Sequence, residues 1–198
     1  MQIKGLVSVL FVLGAIACGS ITMSIDTEVK SAEDIVHTIG IEAEGPIAEM
    51  MTGSGGLDVD DIPASCEVNT SYEKLSIKCN DLPHTELGFI GEGQGQAISI
   101  SVSENDEYVE YTARMLNTFV DPDQEAELQN NPFGSVDDII KFRVYWNVAM
   151  PGEFVESASN ADSYEDGIAS FTITLEDDRD VFTVVSRKKK GGGLFSCN

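Results

Sequence analysis

Apolar side chains recur at every second position along much of this chain. The clearest runs are 21–29, 35–41, 98–102, 142–148 and 171–175. Because successive side chains of a β-strand point to opposite faces, this alternation predicts strands with one buried face and one solvated face. Polar turn residues separate neighbouring runs, as at Asn105-Asp106, which favours antiparallel hairpins.

Three segments have the pattern of short helices. Residues 46–51 begin with a proline near the first helical position, residues 121–131 are polar with carboxylates near their start, and Ser135 can cap a third segment. Together with the strands they predict an α+β fold. We expect a curved, mostly antiparallel β-sheet of meanders and hairpins, accompanied by two or three short helices.

The first 17 residues have the features of an export signal. Lys4 lies in a short polar start, residues 6–17 are apolar or small, and Ala15-Ile16-Ala17 matches a cleavage site of the A-x-A type. The apolar run is shorter than the roughly 20 residues that a membrane-spanning helix needs. We therefore expect a signal peptide at 1–17 and a mature protein outside the cytoplasm.

Cys18 directly follows this cleavage site, as in bacterial lipoproteins. Its thiol is then the lipidation site. Two or three acyl chains (palmitate-type) anchor the protein to the cell membrane, since each buried methylene contributes about 0.8 kcal/mol. Gly19-Ser20 would begin a short tether. Position three before the cysteine is Ala15, where lipoproteins usually have leucine, and the alternative is secretion with Cys18 unmodified.

The chain is strongly acidic, with 34 Asp and Glu against 12 Lys and Arg and a formal net charge of -22. Nucleic-acid binding needs a basic surface, so this charge excludes nucleic acid as a partner. It also argues against a protein that lies flat on an anionic membrane. A surface of this kind keeps proteins soluble in saline habitats.

Two cysteines flank a segment with the pattern of a hairpin. Its arms carry Val68 and Thr70 on one side and Leu75 and Ile77 on the other. Strand ends beside a tight turn come within disulfide distance, and an oxidising compartment favours the bond. We predict a Cys66–Cys79 disulfide that contributes about 3 kcal/mol. Cys197 lies in the Gly-rich C-terminal segment and is expected to be free.

No linker divides the mature chain. Residues 18–187 are predicted to form a single envelope domain, because a segment of this length can bury a sizeable core. Residues 188–198 are predicted to form a flexible basic and Gly-rich tail. Its lysines either remain solvated or form a cationic arm on lipid headgroups, at roughly 1 kcal/mol per charge.

The sequence contains no assembled catalytic or metal motif. His37 and His84 lack ligand-spaced partners, and the glycine-rich residues 91–95 precede a strand instead of opening a helix. The acidic groups at 58–61 and 121–125 lack the glycine and terminal glutamate of a calcium loop. We therefore predict a protein that is not an enzyme and uses neither cofactor nor metal.

A distinctive motif lies in the C-terminal third. A strand that contains Trp146 ends on Met150-Pro151-Gly152, a short apolar and acidic piece at 154–157 follows, and a closing strand carries Phe171. This arrangement resembles the LppM-type domain of bacterial lipoproteins, in which Phe171 fills an aromatic position. The export signal and the opening hairpin are also similar to this family.

The resemblance implies a non-enzymatic, envelope-anchored domain whose curved sheet encloses an apolar groove for lipid or glycolipid. Candidate lining residues of that groove are Met50, Trp146, Phe154 and Phe171. The alternative is a filled core to which these side chains belong. In that case the domain is an anchored structural or protein-interaction module without a ligand. The sequence identifies no protein partner.

Overall fold

The computed structural model describes residues 19–52, 62–71, 73–83, 98–115, 140–174 and 177–188. Within them are eleven β-strands: β1 Gly19–Val29, β2 Ile35–Glu44, β3 Cys66–Ser71, β4 Lys74–Pro83, β5 Ile98–Glu104, β6 Tyr108–Met115, β7 Ile140–Ala149, β8 Glu153–Phe154, β9 Ser163–Glu165, β10 Ile168–Thr174 and β11 Val181–Arg187.

The strands form two sheets. Sheet A has seven strands in the order β3-β4-β2-β1-β7-β10-β9, and sheet B has four in the order β5-β6-β11-β8. All pairings are antiparallel except that of β1 with β7. The mostly antiparallel architecture is as predicted, but two sheets replace the single curved sheet.

Alternation along the strands gives each sheet one buried and one outer face. On β1 the side chains of Ile25, Thr27 and Val29 are buried, while Asp26 and Glu28 are exposed. The same pattern continues on β2, β7 and β10, where the predicted apolar positions are the buried ones. The outer face of sheet A is therefore mostly polar, although it also exposes Tyr145 and Ile168.

One α-helix, α1 Pro46–Thr52, lies in the described part of the chain, with a three-residue 3₁₀ helix at Glu156–Ala158. The helix predicted at 46–51 is thus present. Two or three short helices are not supported, and the described residues make the fold predominantly β. The helices predicted at 121–131 and from Ser135 lie outside the described residues, apart from Ile140, which begins β7.

The core consists of two clusters. The first fills the space between the sheets and is built around large rings: Tyr111, Trp146, Phe171 and Phe182. The second lies where α1 covers β2 and β4, with Ile47 and Met51 of the helix against Ile39, Ile77 and Leu82. Both clusters bury the inner face of sheet A, which is the basis of the fold's stability.

Candidate functional site

The residues predicted to line a ligand groove do not form one shared surface. Trp146 and Phe171 are 1% exposed and lie between the two sheets. The Trp146 ring packs edge-on against Tyr111 and at 6.3 Å from the Phe182 ring, and Phe171 is 5.3 Å from Phe182. These packed rings fill the space between the two sheets at this position.

Phe154 is half-buried and packs on Tyr164, with ring centroids 5.4 Å apart. It lies on β8, at the edge of sheet B, and contacts the margin of the first core cluster. Met50 belongs to α1, but its side chain lies outside the described part of the structure.

A buried polar group interrupts the apolar core at the centre of sheet A. Thr27 on β1 is directly opposite His37 on β2, and both are buried. Trp146 Nε1 donates a hydrogen bond of 3.0 Å to Thr27 Oγ1, and Thr27 Oγ1 lies 3.0 Å from His37 Nδ1. In the tautomer with Nδ1 unprotonated, the threonine hydroxyl donates to the imidazole. One hydroxyl thus joins three neighbouring strands through side chains.

Tyr111 of sheet B completes this group from the opposite side. Its side chain is fully buried, and burial raises the pKa of the phenol well above its ordinary value. The Thr27 hydroxyl and the Trp146 indole act on that pKa in the opposite direction, although neither forms a well-aligned hydrogen bond with the phenol oxygen. Burial of Tyr111 therefore favours the neutral phenol.

The Cys66–Cys79 disulfide predicted from the sequence is present. It joins β3 to β4 at one register position, and the register places Val68 opposite Ile77. β3 is the edge strand of sheet A, so the bond fastens this edge to the rest of the sheet. Because the bond joins two paired strands of one sheet, we assign it a structural role.

A concave pocket of about 310 Å³ lies on the outer face of sheet A. Two cross-strand rows form its floor. The first runs Thr38, Asp26, Asn147, and the second runs Val36, Glu28, Ala149, Ile168. Asp81, at a bulge between β2 and β4, adds a third carboxylate.

Hydrogen bonds hold the polar row of this pocket in place. Asn147 Nδ2 donates to Asp26 Oδ1 at 2.8 Å, and Ser170 Oγ donates to Asn147 Oδ1 at 2.8 Å. The pocket therefore combines the carboxylates of Asp26, Glu28 and Asp81 with the apolar side chains of Val36, Ala149 and Ile168. Across the described residues, no group of three or more histidine, cysteine, aspartate or glutamate side chains could hold a metal ion.

An arginine closes one end of the core between the sheets. Arg179 forms ion pairs with Asp177 at 2.6 Å and Asp162 at 2.8 Å, and its guanidinium lies over the rings of Phe171 and Phe182. The hydrogen bond from Arg179 lowers the pKa of Asp177 below its ordinary value, against the effect of burial. The pKa of Arg179 is raised by the same bond.

The proposed lipidation site is covalently joined to the first residue of the sheet. Cys18 itself lies outside the described residues, but β1 begins at Gly19. A Cβ atom on Gly19 would be 2.8 Å from the Glu44 carbonyl oxygen and 2.7 Å from Ile47 Cδ1. Gly19 and Ser20 are thus part of a tightly packed strand. The expectation that they begin a tether is wrong, because their pairing with β2 and β7 continues the strand to its first residue.

The structure describes one of the two histidines of the sequence. His37 is fully buried, and its position lies beneath the pocket on the outer face of sheet A. His84 lies outside the described residues. Sequence reasoning missed the role of Thr27 and Tyr111. A signal was present for Thr27, since it occupies an inward position in an otherwise apolar row and pairs with the inward His37.

Lys188, placed in the tail by the sequence analysis, contacts the folded body. Its backbone N–H donates to the Glu107 carbonyl at 2.8 Å, and its ammonium pairs with Glu104 at 2.5 Å. The pKa of Glu104 is lowered chiefly by this hydrogen bond. No helix in the described segments is long and apolar enough to cross a membrane.

Comparison with known proteins gives one structural similarity. No family model matches the chain, and no curated protein matches it. The folded domain of Mycobacterium tuberculosis LppM, determined by NMR, is similar in structure, with a TM-score of 0.49 and 15% sequence identity. The similarity covers 90% of this chain and 96% of that one. The LppM-type domain is also the family that the segment from Phe142 to Arg187 resembles in sequence.

Proposed function

We propose that the protein is an extracytoplasmic, lipid-anchored and non-catalytic interaction module with a filled core. In this proposal the signal at 1–17 is removed, Cys18 carries the acyl chains, and the β domain works through its surface. The sequence left open a lipid-binding domain and an interaction module without a ligand, and this proposal is the second of the two.

The observation that carries the proposal is the position of Trp146 and Phe171. Both rings lie in the core between the sheets, and the Trp146 N–H is fixed to Thr27 Oγ1 at 3.0 Å. A lipid chain in this space would have to displace packed aromatic rings, which costs several kcal/mol. It would also have to break a buried hydrogen bond, which costs about 1–3 kcal/mol. The filled core is therefore favoured over a groove at this position.

The outer face of sheet A supplies a surface for protein contact. Tyr145 and Ile168 are 39% and 38% exposed on this face, beside the anionic pocket. Aromatic and aliphatic side chains surrounded by polar groups are typical anchors of protein interfaces. A partner with a basic residue next to an apolar one fits this combination.

Mass spectrometry tests the two parts of the proposal separately. The N-terminal peptide of the protein from the membrane fraction should begin at Cys18 and carry acyl chains, and Cys18→Ser should release the protein. Native mass spectrometry of the mature domain, purified without detergent and incubated with mixed envelope lipids, should give the mass of the protein alone. A lipid bound in stoichiometric amount would overturn the filled-core proposal in favour of a carrier.

Photocrosslinking tests the proposed interaction surface in the envelope. A photoreactive residue in place of Tyr145 should give discrete crosslinked products. The same residue in place of Ser103, exposed on sheet B, is the matched control and should give none. Products of equal yield at both positions would contradict the assignment of the surface to sheet A.

A further inference from the structure

One end of sheet A is fixed to the lipidation site without a tether. β1 begins at Gly19, next to Cys18 in the sequence, and Gly19 is enclosed by the Glu44 carbonyl and Ile47. At this proximal end Ser20 lies between Glu44 of β2 and Lys141 of β7, and Glu44 pairs with Lys74 of β4. Several strand ends therefore lie at the level of the anchor.

The opposite, distal end is defined by the turns that the strands reach. β1 and β2 are joined there by residues 30–34, and the Ala32 N–H contacts Glu104 of the β5–β6 hairpin at 3.4 Å. β7 ends at Ala149, opposite the Ile168 that begins β10. β1 has 11 residues, so the two ends are about 35 Å apart.

The two ends differ in charge. At the proximal end acidic and basic groups are mixed, and Lys74 forms an ion pair with Glu44 at 3.2 Å, near Lys141 and Arg143. At the distal end Lys30 and Lys188 are each bound to a glutamate. Arg187 also lies there, stacked on Tyr108, but among the described residues exposed carboxylates predominate: Glu28, Glu33, Asp34, Asp106, Glu107 and Asp166. The described proximal end also exposes carboxylates, Glu42, Glu44, Glu49 and Glu73, but these are accompanied by Lys74, Lys141 and Arg143.

We propose that the protein stands end-on on an anionic phospholipid surface, with the proximal end in the headgroup layer and the distal end directed outward. This inference rests on the proposed lipid anchor. A chain acylated at Cys18 has at most one residue between the bilayer and a packed strand, so the sheet cannot move away from the headgroups. Negative lipid headgroups repel the acidic distal end and favour the same orientation.

The orientation exposes the outer face of sheet A sideways. The strands of an end-on sheet rise away from the membrane, so Tyr145 and Ile168 face along the membrane and not toward it. A partner on this face is then a neighbouring envelope protein or the extracytoplasmic part of a membrane protein. The basic residues of the proximal end contact phosphate groups without the whole face lying flat on the lipid.

Carboxyl footprinting tests the orientation with native side chains as reporters. The mature chain from Cys18 to Asn198, with its disulfide formed and with Cys197→Ser, is coupled through the Cys18 thiol to a maleimide phospholipid. It is placed on vesicles of phosphatidylcholine and phosphatidylglycerol. The reference is the same chain capped with a small maleimide and mixed with the same vesicles.

We expect carbodiimide labelling of Glu49 and Glu73, both exposed at the proximal end, to slow several-fold on anchoring. Labelling of Glu33 and Glu107, exposed at the distal end, should not change. Equal slowing at both ends, no slowing at either, or slowing at the distal end would overturn the inference. Because the lipid is attached chemically, these results do not depend on whether the cell lipidates Cys18.

A linker variant is the control for the role of the short anchor. Twelve Gly and Ser residues inserted between Cys18 and Gly19 span about 20 Å as a flexible coil. The domain then rotates freely, and the labelling of Glu49 and Glu73 should return to that of the capped chain. If their protection persists in this variant, the anchor does not set the orientation and the inference fails.

Discussion

Trp146 Nε1 and Thr27 Oγ1 are joined by a buried hydrogen bond of 3.0 Å across the parallel pair β1 and β7. The same threonine oxygen lies 3.0 Å from His37 Nδ1 on the other neighbouring strand. The centre of sheet A is therefore held by one hydroxyl in addition to its backbone ladder. This arrangement specifies a single register, because a slip of one residue would move Thr27 to the outer face.

Thr27→Val should destabilise the fold by about 2–4 kcal/mol, since valine has the same shape but leaves the Trp146 N–H and the His37 Nδ1 without this partner in the core. Thr172→Val, at an exposed position on β10, is the matched control and should change stability by no more than about 0.5 kcal/mol. Urea unfolding followed by tryptophan fluorescence measures both. Equal stability of the two variants would show that the buried bond contributes nothing.

Removal of the disulfide should lower the free energy of unfolding by about 3 kcal/mol, given the 13-residue separation of Cys66 and Cys79. The Cys66→Ser/Cys79→Ser variant should also exchange its amide hydrogens faster along β3, because β3 has one neighbour in the sheet. Hydrogen exchange of β10, between two other strands, is the internal reference. Uniform acceleration in both strands would contradict a local role for the bond.

Asp177→Asn should destabilise the protein near pH 7 and have a smaller effect in acid. Arg179 lowers the pKa of Asp177, so the carboxylate stabilises the fold above its unfolded-state pKa of about 4, and this contribution is lost as pH falls through the lower folded-state pKa. We expect a loss of about 1–3 kcal/mol at neutral pH. Urea melts at pH 7 and at about pH 3 give the comparison.

The control for this pH dependence is Asp178→Asn, at an exposed neighbouring position. This substitution should leave the difference between neutral and acid stability as in the parent protein. If Asp177→Asn and Asp178→Asn lost the same stability at both pH values, the ion pair of Asp177 with Arg179 would not be the cause of the pH dependence.

Gly152→Ala should cost about 3 kcal/mol or more. Gly152 has φ +102°, and a Cβ atom there would meet the backbone carbonyl oxygen of Arg187. Gly167 has φ +80° but open space around it, so Gly167→Ala should cost only about 1 kcal/mol of backbone strain. Thermal unfolding of both variants separates the cost of the contact with Arg187 from the cost of a positive φ angle. Similar losses in both variants would show that the contact with Arg187 relaxes readily.

The sequence predicts the local features of this fold well, because they depend on neighbouring residues. The alternation at 21–29 and 35–41 identified the buried faces of β1 and β2, and Cys66 and Cys79 are paired as the hairpin required. The distribution of strands between two sheets was not predicted. Alternation shows which face is buried, but it does not determine which distant strand covers that face.

The candidate lining residues show a second limit of the sequence. Trp146 and Phe171 have aromatic side chains at inward positions, and such a pattern fits both a groove and a filled core. The difference depends on whether Tyr111 and Phe182 of the opposite sheet occupy the intervening space, as they do. Gly19 and Ser20 were assigned to a tether for a related reason, since small residues carry little information about strand pairing.

The parallel pairing of β1 with β7 determines when sheet A can be completed during folding. Thr27 and Trp146 are 119 residues apart, so the centre of sheet A remains incomplete until most of the chain is present. Contacts this distant in sequence close slowly, because the entropy of a long loop is lost before the contacts are gained. On the proposed export route, β1 crosses the membrane before β7, so sheet A is completed only after β7 has been translocated.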